Sequence, residues 1–248
     1  MSAGVAASRA PVIAFTDDDA RPRSDWLTRI VSHFEEPAVG GVGGRDFIAG
    51  QEGPLTTGVG QFSPFGKLVG NHHLGTGPPR DVEVLKGVNM AFRAAALALP
   101  APGVLRGDGA EVDFEVLTCA WARQQGWRLV YDPAILVDHE GAPRAGADQR
   151  TRPAPQATFD AAYNSIVGAT LLETGIQRRR VAYPLIIGSH DRPGVVRGVV
   201  AIIRGEWVVL ARLRPALAGR IAALRTRRSL VGEAQLKVVT AVSLRERF

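Results

Sequence analysis

The chain has 248 residues, enough to bury a core in one domain or in one domain with an appendage. Its 46% hydrophobic and 22% charged residues are those of a folded protein, and its single cysteine, Cys119, excludes an internal disulfide or a cysteine-based metal cluster. The net charge of +6 divides unevenly: residues 1–140 carry 12 basic against 17 acidic side chains, and residues 141–248 carry 18 against 7. An acidic front half followed by a basic back half suggests a catalytic part joined to a part that meets something anionic.

Gly4 to Ala10 is small and weakly helical, and Met1 to Pro11 has no apolar leader segment. Val12 to Thr16 is an apolar run too short for a helix, and it reads as a buried strand of a parallel sheet. It empties into Asp17, Asp18 and Asp19. Three like charges at a strand end need a counter-charge, and hard carboxylate oxygens suit Mg²⁺ or Mn²⁺. A solvated acidic turn is the equally weighted alternative.

Arg21 to Ser24 reads as a turn, with Ser24 as N-cap of an amphipathic helix over 25–35 built on Trp26, Leu27, Ile30, Val31 and Phe34. The glycines of Val39–Gly44 do not fit a dinucleotide fingerprint, so this stretch reads as a strand closely approached by another backbone or a ligand. Residues 50–80 have no steady period and form a long loop that leaves His72 and His73 exposed.

A strand is expected over 82–85, a turn at Lys86-Gly87-Val88-Asn89, a second strand over 90–93 and a short helix over 94–99 closed by Pro100. Glu111, Asp113 and Glu115 open a helix running to Gln125, with Gly126 at its cap. Acids in a first turn complement the helix dipole without any function, yet Glu111 and Glu115 lie i, i+4 on one face, where a base could be aimed. Residues 127–137 read as a strand broken at Asp132-Pro133 and ending in Asp138-His139-Glu140.

Residues 141–157 read as a linker and 158–176 as a helix, followed by the basic cluster Arg178–Arg180. Between 195 and 214 apolar residues alternate with Arg197, Arg204, Arg212 and Arg214, the pattern of a basic amphipathic helix on an anionic membrane surface. The same basic face solvated and packed on the domain is the plainer reading. The basic segments lack interleaved aromatics, so no nucleic-acid partner is expected.

Three landmarks stand in order: an apolar strand into Asp17-Asp18-Asp19, the stretch Lys86-Gly87-Val88-Asn89-Met90-Ala91-Phe92-Arg93, and Asp113-Phe114-Glu115 ahead of a strand ending at His139. Together they resemble the family 2 glycosyltransferases of GT-A fold. The resemblance implies an α/β protein, a GT-A-like (Rossmann-like) mixed sheet flanked by helices over residues 1–140, with a linker and basic helical C-terminal region over 141–248. Family members begin with nucleotide-binding strands, and Gly4 to Ala10 resembles the middle of such a protein, so the resemblance also implies an N-terminally incomplete core.

The implied reaction is inverting transfer of a sugar from a nucleotide-sugar donor to a glycan or lipid-linked acceptor hydroxyl, in the cell envelope. The implied metal ligands are Asp17, Asp19 and His139, with Mn²⁺ or Mg²⁺ as the divalent cation. Asp18, Lys86, Gly87, Asn89 and Arg93 are the implied donor-side residues, and the base falls among Asp113, Glu115 and Glu111, with Val112 standing where the family has an acid. The implied location is the cytoplasm, peripheral on the membrane's cytoplasmic face. Rival readings are a catalytically impaired relative acting as a membrane or partner module, and a phosphatase with Asp17 as nucleophile, which Ala20-Arg21 fits poorly.

Overall fold

The computed structural model describes residues 1–48, 58–107, 112–139, 154–171, 177–230 and 238–240. It is a mixed α/β protein. The principal sheet runs β1 (Val12–Thr16), β7 (Asn89–Arg93), β3 (Val39–Phe47), β9 (Arg128–His139), β2 (Ala20–Pro22), with β6 (Arg80–Asp81) also on β9. Two small ribbons join β4 (Gln61–Phe62) to β5 (Leu68–Val69) and β8 (Ala98–Pro100) to β10 (Val238–Thr240). The helices are α1 (Ser2–Ala7), α2 (Trp26–His33), α3 (Phe114–Gln124), α4 (Pro155–Thr170), α5 (Gln177–Ile186), α6 (Val195–Arg204) and α7 (Trp207–Leu230).

The expected mixed sheet flanked by helices is therefore present, but β1 differs from its expectation. It pairs antiparallel with β7, which turns back beside it, and it lies at the end of the strand order with Ala14 and Thr16 exposed. The parallel pair is β3 with β9. Both carry buried residues on two faces, as a covered parallel pair requires.

The glycines of β3 are explained by close approach. A side chain on Gly44 would come within 2.0 Å of the Ile135 carbonyl, and one on Gly40 within 2.5 Å of Trp127. In β9 the break at Asp132-Pro133 is a bulge: Gly44 pairs with Asp132, and Arg45 already pairs with Leu136. Pro133 has no N–H for the ladder, while Asp132 accepts a hydrogen bond from the Ala134 amide at 2.8 Å and faces His33 at 2.8 Å.

Several local expectations are corrected. The helix over 25–35 is shorter, with Asp25 at its N-cap in place of Ser24, and Arg21-Pro22 belongs to β2. Residues 82–85 leave the sheet after β6, although the Val82 amide still donates to the Leu129 carbonyl. Residues 94–99 turn once and enter β8 instead of a helix. Ala96 to Leu99 are buried on every side, leaving no polar face for a surface helix, and β10 supplies a ladder partner.

His72 is buried instead of exposed. Its Nε2 lies 2.9 Å from the Val84 carbonyl, and burial pushes its ring pKa down to about 4. His73 is half-buried. Pro155 starts α4 where a linker was expected, because the first helical turn tolerates its missing N–H. The remainder of that linker before residue 154, and residues 172–176, lie outside the described residues.

The single helix expected over 195–214 is two. Gly205 adopts φ 66°, a left-handed conformation that ends α6 and redirects the chain into α7. Residues on both sides of position 140 share one hydrophobic cluster, which includes Leu117, Ala120, Tyr163, Ile166 and Ala223.

Candidate functional site

The acidic run forms the turn between β1 and β2, and β2 pairs its first residue, Ala20, with His139 at the end of β9. That pairing carries the chain's front acids to the far end of a strand more than a hundred residues later. Ligand atoms of Asp17, Asp19 and His139 lie within 4.8 Å of one another. His139 Nε2 is 3.3 Å from an Asp19 oxygen. Both His139 ring nitrogens are buried without a hydrogen-bond partner. Two carboxylates and an unsatisfied imidazole form a mixed oxygen and nitrogen donor set, so these residues fit a divalent cation, and the imidazole suits Mn²⁺ better than Mg²⁺. Asp18 is exposed and stands outside this group.

Asp46, at the end of β3, was not singled out in the sequence. It is fully buried, its Oδ2 lies 3.9 Å from His139 Nδ1, and it pairs with Lys86. The available signal was a carboxylate closing a buried parallel strand, the position where α/β sheets place ligands. Lys86 thus stands between the acidic cluster and α3, and Gly87 follows it, where an added Cβ would meet the Phe114 ring at 3.3 Å.

Asn89 and Arg93, expected beside the donor, are engaged elsewhere. Asn89 is fully buried; its Oδ1 accepts from the Trp26 indole at 2.8 Å, and its Nδ2 donates to the carbonyls of Ile135 and Arg45 at 2.9 and 3.1 Å. It ties α2 to β3 and β9. Arg93 pairs with Val12, at the end of β1 remote from the acids, and its guanidinium donates to the carbonyls of Phe34, Glu36 and Val39. There it satisfies the open end of α2.

Asp113 occupies the N-cap of α3 with φ 70°, an uncommon backbone for a residue other than glycine. Its carboxylate pairs with Arg192, from the segment between α5 and α6, and its side chain is only 12% exposed. Burial first, and then the Asp113 charge, push Glu115 up to about pKa 7. A carboxylate titrating there is matched to proton transfer near neutral pH. Glu111 lies outside the described residues.

Of the arginines expected on a membrane face, Arg204 and Arg214 are exposed and Arg197 is half-buried. Arg212 is buried and pairs with Asp191 at 2.7 Å, so it is withdrawn from that face. Arg180, from the expected basic cluster, is likewise buried, paired with Glu83 at 2.9 Å and stacked 3.7 Å from the centre of the Phe62 ring. Among the described residues no helix is long and apolar enough to cross a membrane.

Residues 1–93 match the family model described as glycosyl transferase family 2. That span holds the acidic turn and Lys86–Arg93 and ends before Asp113 and His139. No curated protein matches the chain. Among solved structures, GalNAc-T7 with UDP, GalNAc and Mn²⁺ is similar with a TM-score of 0.43 and 13% identity, covering 83% of this chain and 43% of that one. The chain spans less than half the length of that relative.

Proposed function

From the match of residues 1–93 to glycosyl transferase family 2, we propose that this chain transfers a sugar from a nucleotide-sugar donor to an acceptor hydroxyl, with inversion and with a divalent cation. The observation that carries the reading is the convergence of Asp17, Asp19 and His139, with both ring nitrogens of His139 buried and unsatisfied. A cation held there supplies charge neutralisation for the leaving diphosphate. Asp17, Asp19 and His139 hold it, while Asp46 and Lys86 fix the charge balance behind them.

The acceptor proton needs a carboxylate within hydrogen-bond reach. Asp113 is our first assignment because it lines a cavity open to a small molecule, with Glu115, itself raised by burial and by the Asp113 charge, beside it. Glu111 stays in the same role by sequence position. A single direct displacement inverts the anomeric centre.

Calorimetric titration of a nucleotide-sugar panel with Mn²⁺ tests the proposal. We expect metal-dependent binding by the native chain and its loss in Asp17→Ala/Asp19→Ala. Donor binding indifferent both to Mn²⁺ and to those substitutions would remove the basis of this reading.

A second role, attachment to an anionic membrane surface, is favoured by α6. Val195, Val196, Val199, Ile202 and Ile203 form one arc of the helix, and all five are exposed, Ile203 at 79%. Trp207 and Val208 extend this apolar surface. Arg197 and Arg204, seven residues apart, share a face on the far side of the helix from this arc. An aliphatic face with cations opposite it is the pattern of an interfacial helix. Sedimentation with phosphatidylglycerol vesicles is expected to carry the protein down. Equal sedimentation of an Ile202→Asp/Ile203→Asp variant would refute the assignment to α6.

A further inference from the structure

Lys67, Asp113, Arg180, Tyr183, Arg192 and Arg220 help to line a cavity of about 140 Å³. Four of these are cations, and among the described lining residues Asp113 is the single carboxylate. Arg180 is balanced from behind by Glu83 and Arg192 by Asp113. Arg220 has no such counter-charge among the described residues. It is 1% exposed, its Nη atoms donate to the carbonyls of Arg192 and Pro193, and its Nε is buried without a hydrogen-bond partner. No carboxylate among the described residues pairs with it.

Hydrogen bonds to carbonyls satisfy donors but do not cancel a buried charge, which is costly to leave uncompensated. Burial and the neighbouring Arg192 push its pKa down to about 10, so it keeps its proton at neutral pH. With Lys67 exposed at the rim, the cavity carries an excess of positive charge.

Lys67 and Tyr183 also line an adjoining open groove, together with Phe65, Ile186 and Ile187. Those three apolar side chains are exposed, Phe65 at 77%. A cationic cavity beside a candidate base thus continues into an apolar trough through two shared residues.

We propose that cavity and groove form one acceptor site, for an amphiphile whose anionic head meets Arg192, Arg220 and Lys67 and whose apolar tail lies along Phe65, Ile186 and Ile187. This rests on the glycosyl-transfer reading for the word acceptor, and on the residues named here for the ligand class. Charge complementarity selects the head, and the groove selects a tail over a free phosphate or a soluble glycan.

The test titrates the full chain with decyl phosphate, inorganic phosphate and decyl maltoside, each below its micellar concentration. Decyl phosphate is expected to bind at least about tenfold more tightly than either control, a difference of about 1.4 kcal/mol. Lys67→Gln should weaken both phosphates. Phe65→Ser/Ile187→Ser should weaken decyl phosphate alone, and both variants alter exposed side chains that the fold does not need.

Decyl phosphate binding no tighter than both controls, or unaffected by Phe65→Ser/Ile187→Ser, overturns the inference. Titration of the same preparations with nucleotide sugar and Mn²⁺ separates the two readings. Donor binding without decyl phosphate binding refutes the acceptor site alone. Decyl phosphate binding without donor binding removes the transferase reading, and with it the acceptor role, and leaves the ligand class standing.

Discussion

Trp26 donates its indole N–H to Asn89, and Asn89 in turn donates to two carbonyls on neighbouring strands. Asn89→Ala removes this partner from the Trp26 indole N–H and from the Ile135 and Arg45 carbonyls, and we expect a loss of roughly 2–4 kcal/mol in chemical denaturation. The resemblance assigns Asn89 to the donor side, and the structure shows the neighbours it ties together, which a motif alone does not name.

Glu115 gives a second prediction. Its pKa is raised from 4.5 to about 7, so the folded state favours the protonated form. The stabilisation is full below pH 4.5 and is lost as pH rises through 7. Melting temperatures of Glu115→Gln and the native chain should therefore diverge from pH 5 to pH 8 in the variant's favour, by an equivalent of about 2 kcal/mol. Parallel melting curves across that range would show that Glu115 titrates as an ordinary carboxylate. The acids of this helix start were legible in the sequence; the Arg192 contact was not, since seventy-eight residues and three helices intervene.

At the scale of elements, the reading succeeded where one physical constraint decides. Gly-rich β3 could only be a strand closely approached, and Gly44→Ala tests this: its Cβ would meet the Ile135 carbonyl at 2.0 Å. We expect the variant to lose about 3 kcal/mol or to fail to fold, measured by urea denaturation. Elsewhere the periodicity was right and the boundary wrong. The apolar and basic spacing over 195–214 belongs to helices, but Gly205 ends the first of them, and Arg212 in the second is buried and pairs with the exposed Asp191. Residues 94–99 carry no period that separates a buried turn and strand from a short helix, and β10, from the other end of the sequence, decides the matter.

For the whole molecule, the charge division seen in the sequence becomes a contact. The basic back half supplies Arg192, Arg180 and Arg220 to a cavity whose acid comes from the front half. Arg192 is 30% exposed, so Arg192→Gln is expected to cost about 1–2 kcal/mol of stability, less than a fully buried pair would. The same substitution should make stability less sensitive to salt. An unchanged salt dependence would mean that the Asp113 pair contributes nothing between the halves. The mixed sheet was expected from the resemblance; the apolar run of β1 by itself suggested a parallel strand, and it pairs antiparallel. The strand order was not, since pairings such as β2 with the end of β9 join residues more than a hundred positions apart.

The bulge in β9 has a bearing on which insertions and deletions this chain can accept. Before it, Leu129 and Tyr131 face one core cluster; after it, Ile135 and Val137 face the opposite one, together with Val130. Three unpaired residues, Pro133 to Ile135, reverse the parity of the strand, and His139 inherits the reversed side. The number of residues in the bulge is therefore fixed more tightly than their identity. Replacing Pro133 keeps the count and leaves His139 beside Asp19, whereas deleting it turns every later side chain over and carries the imidazole to the wrong side of the sheet.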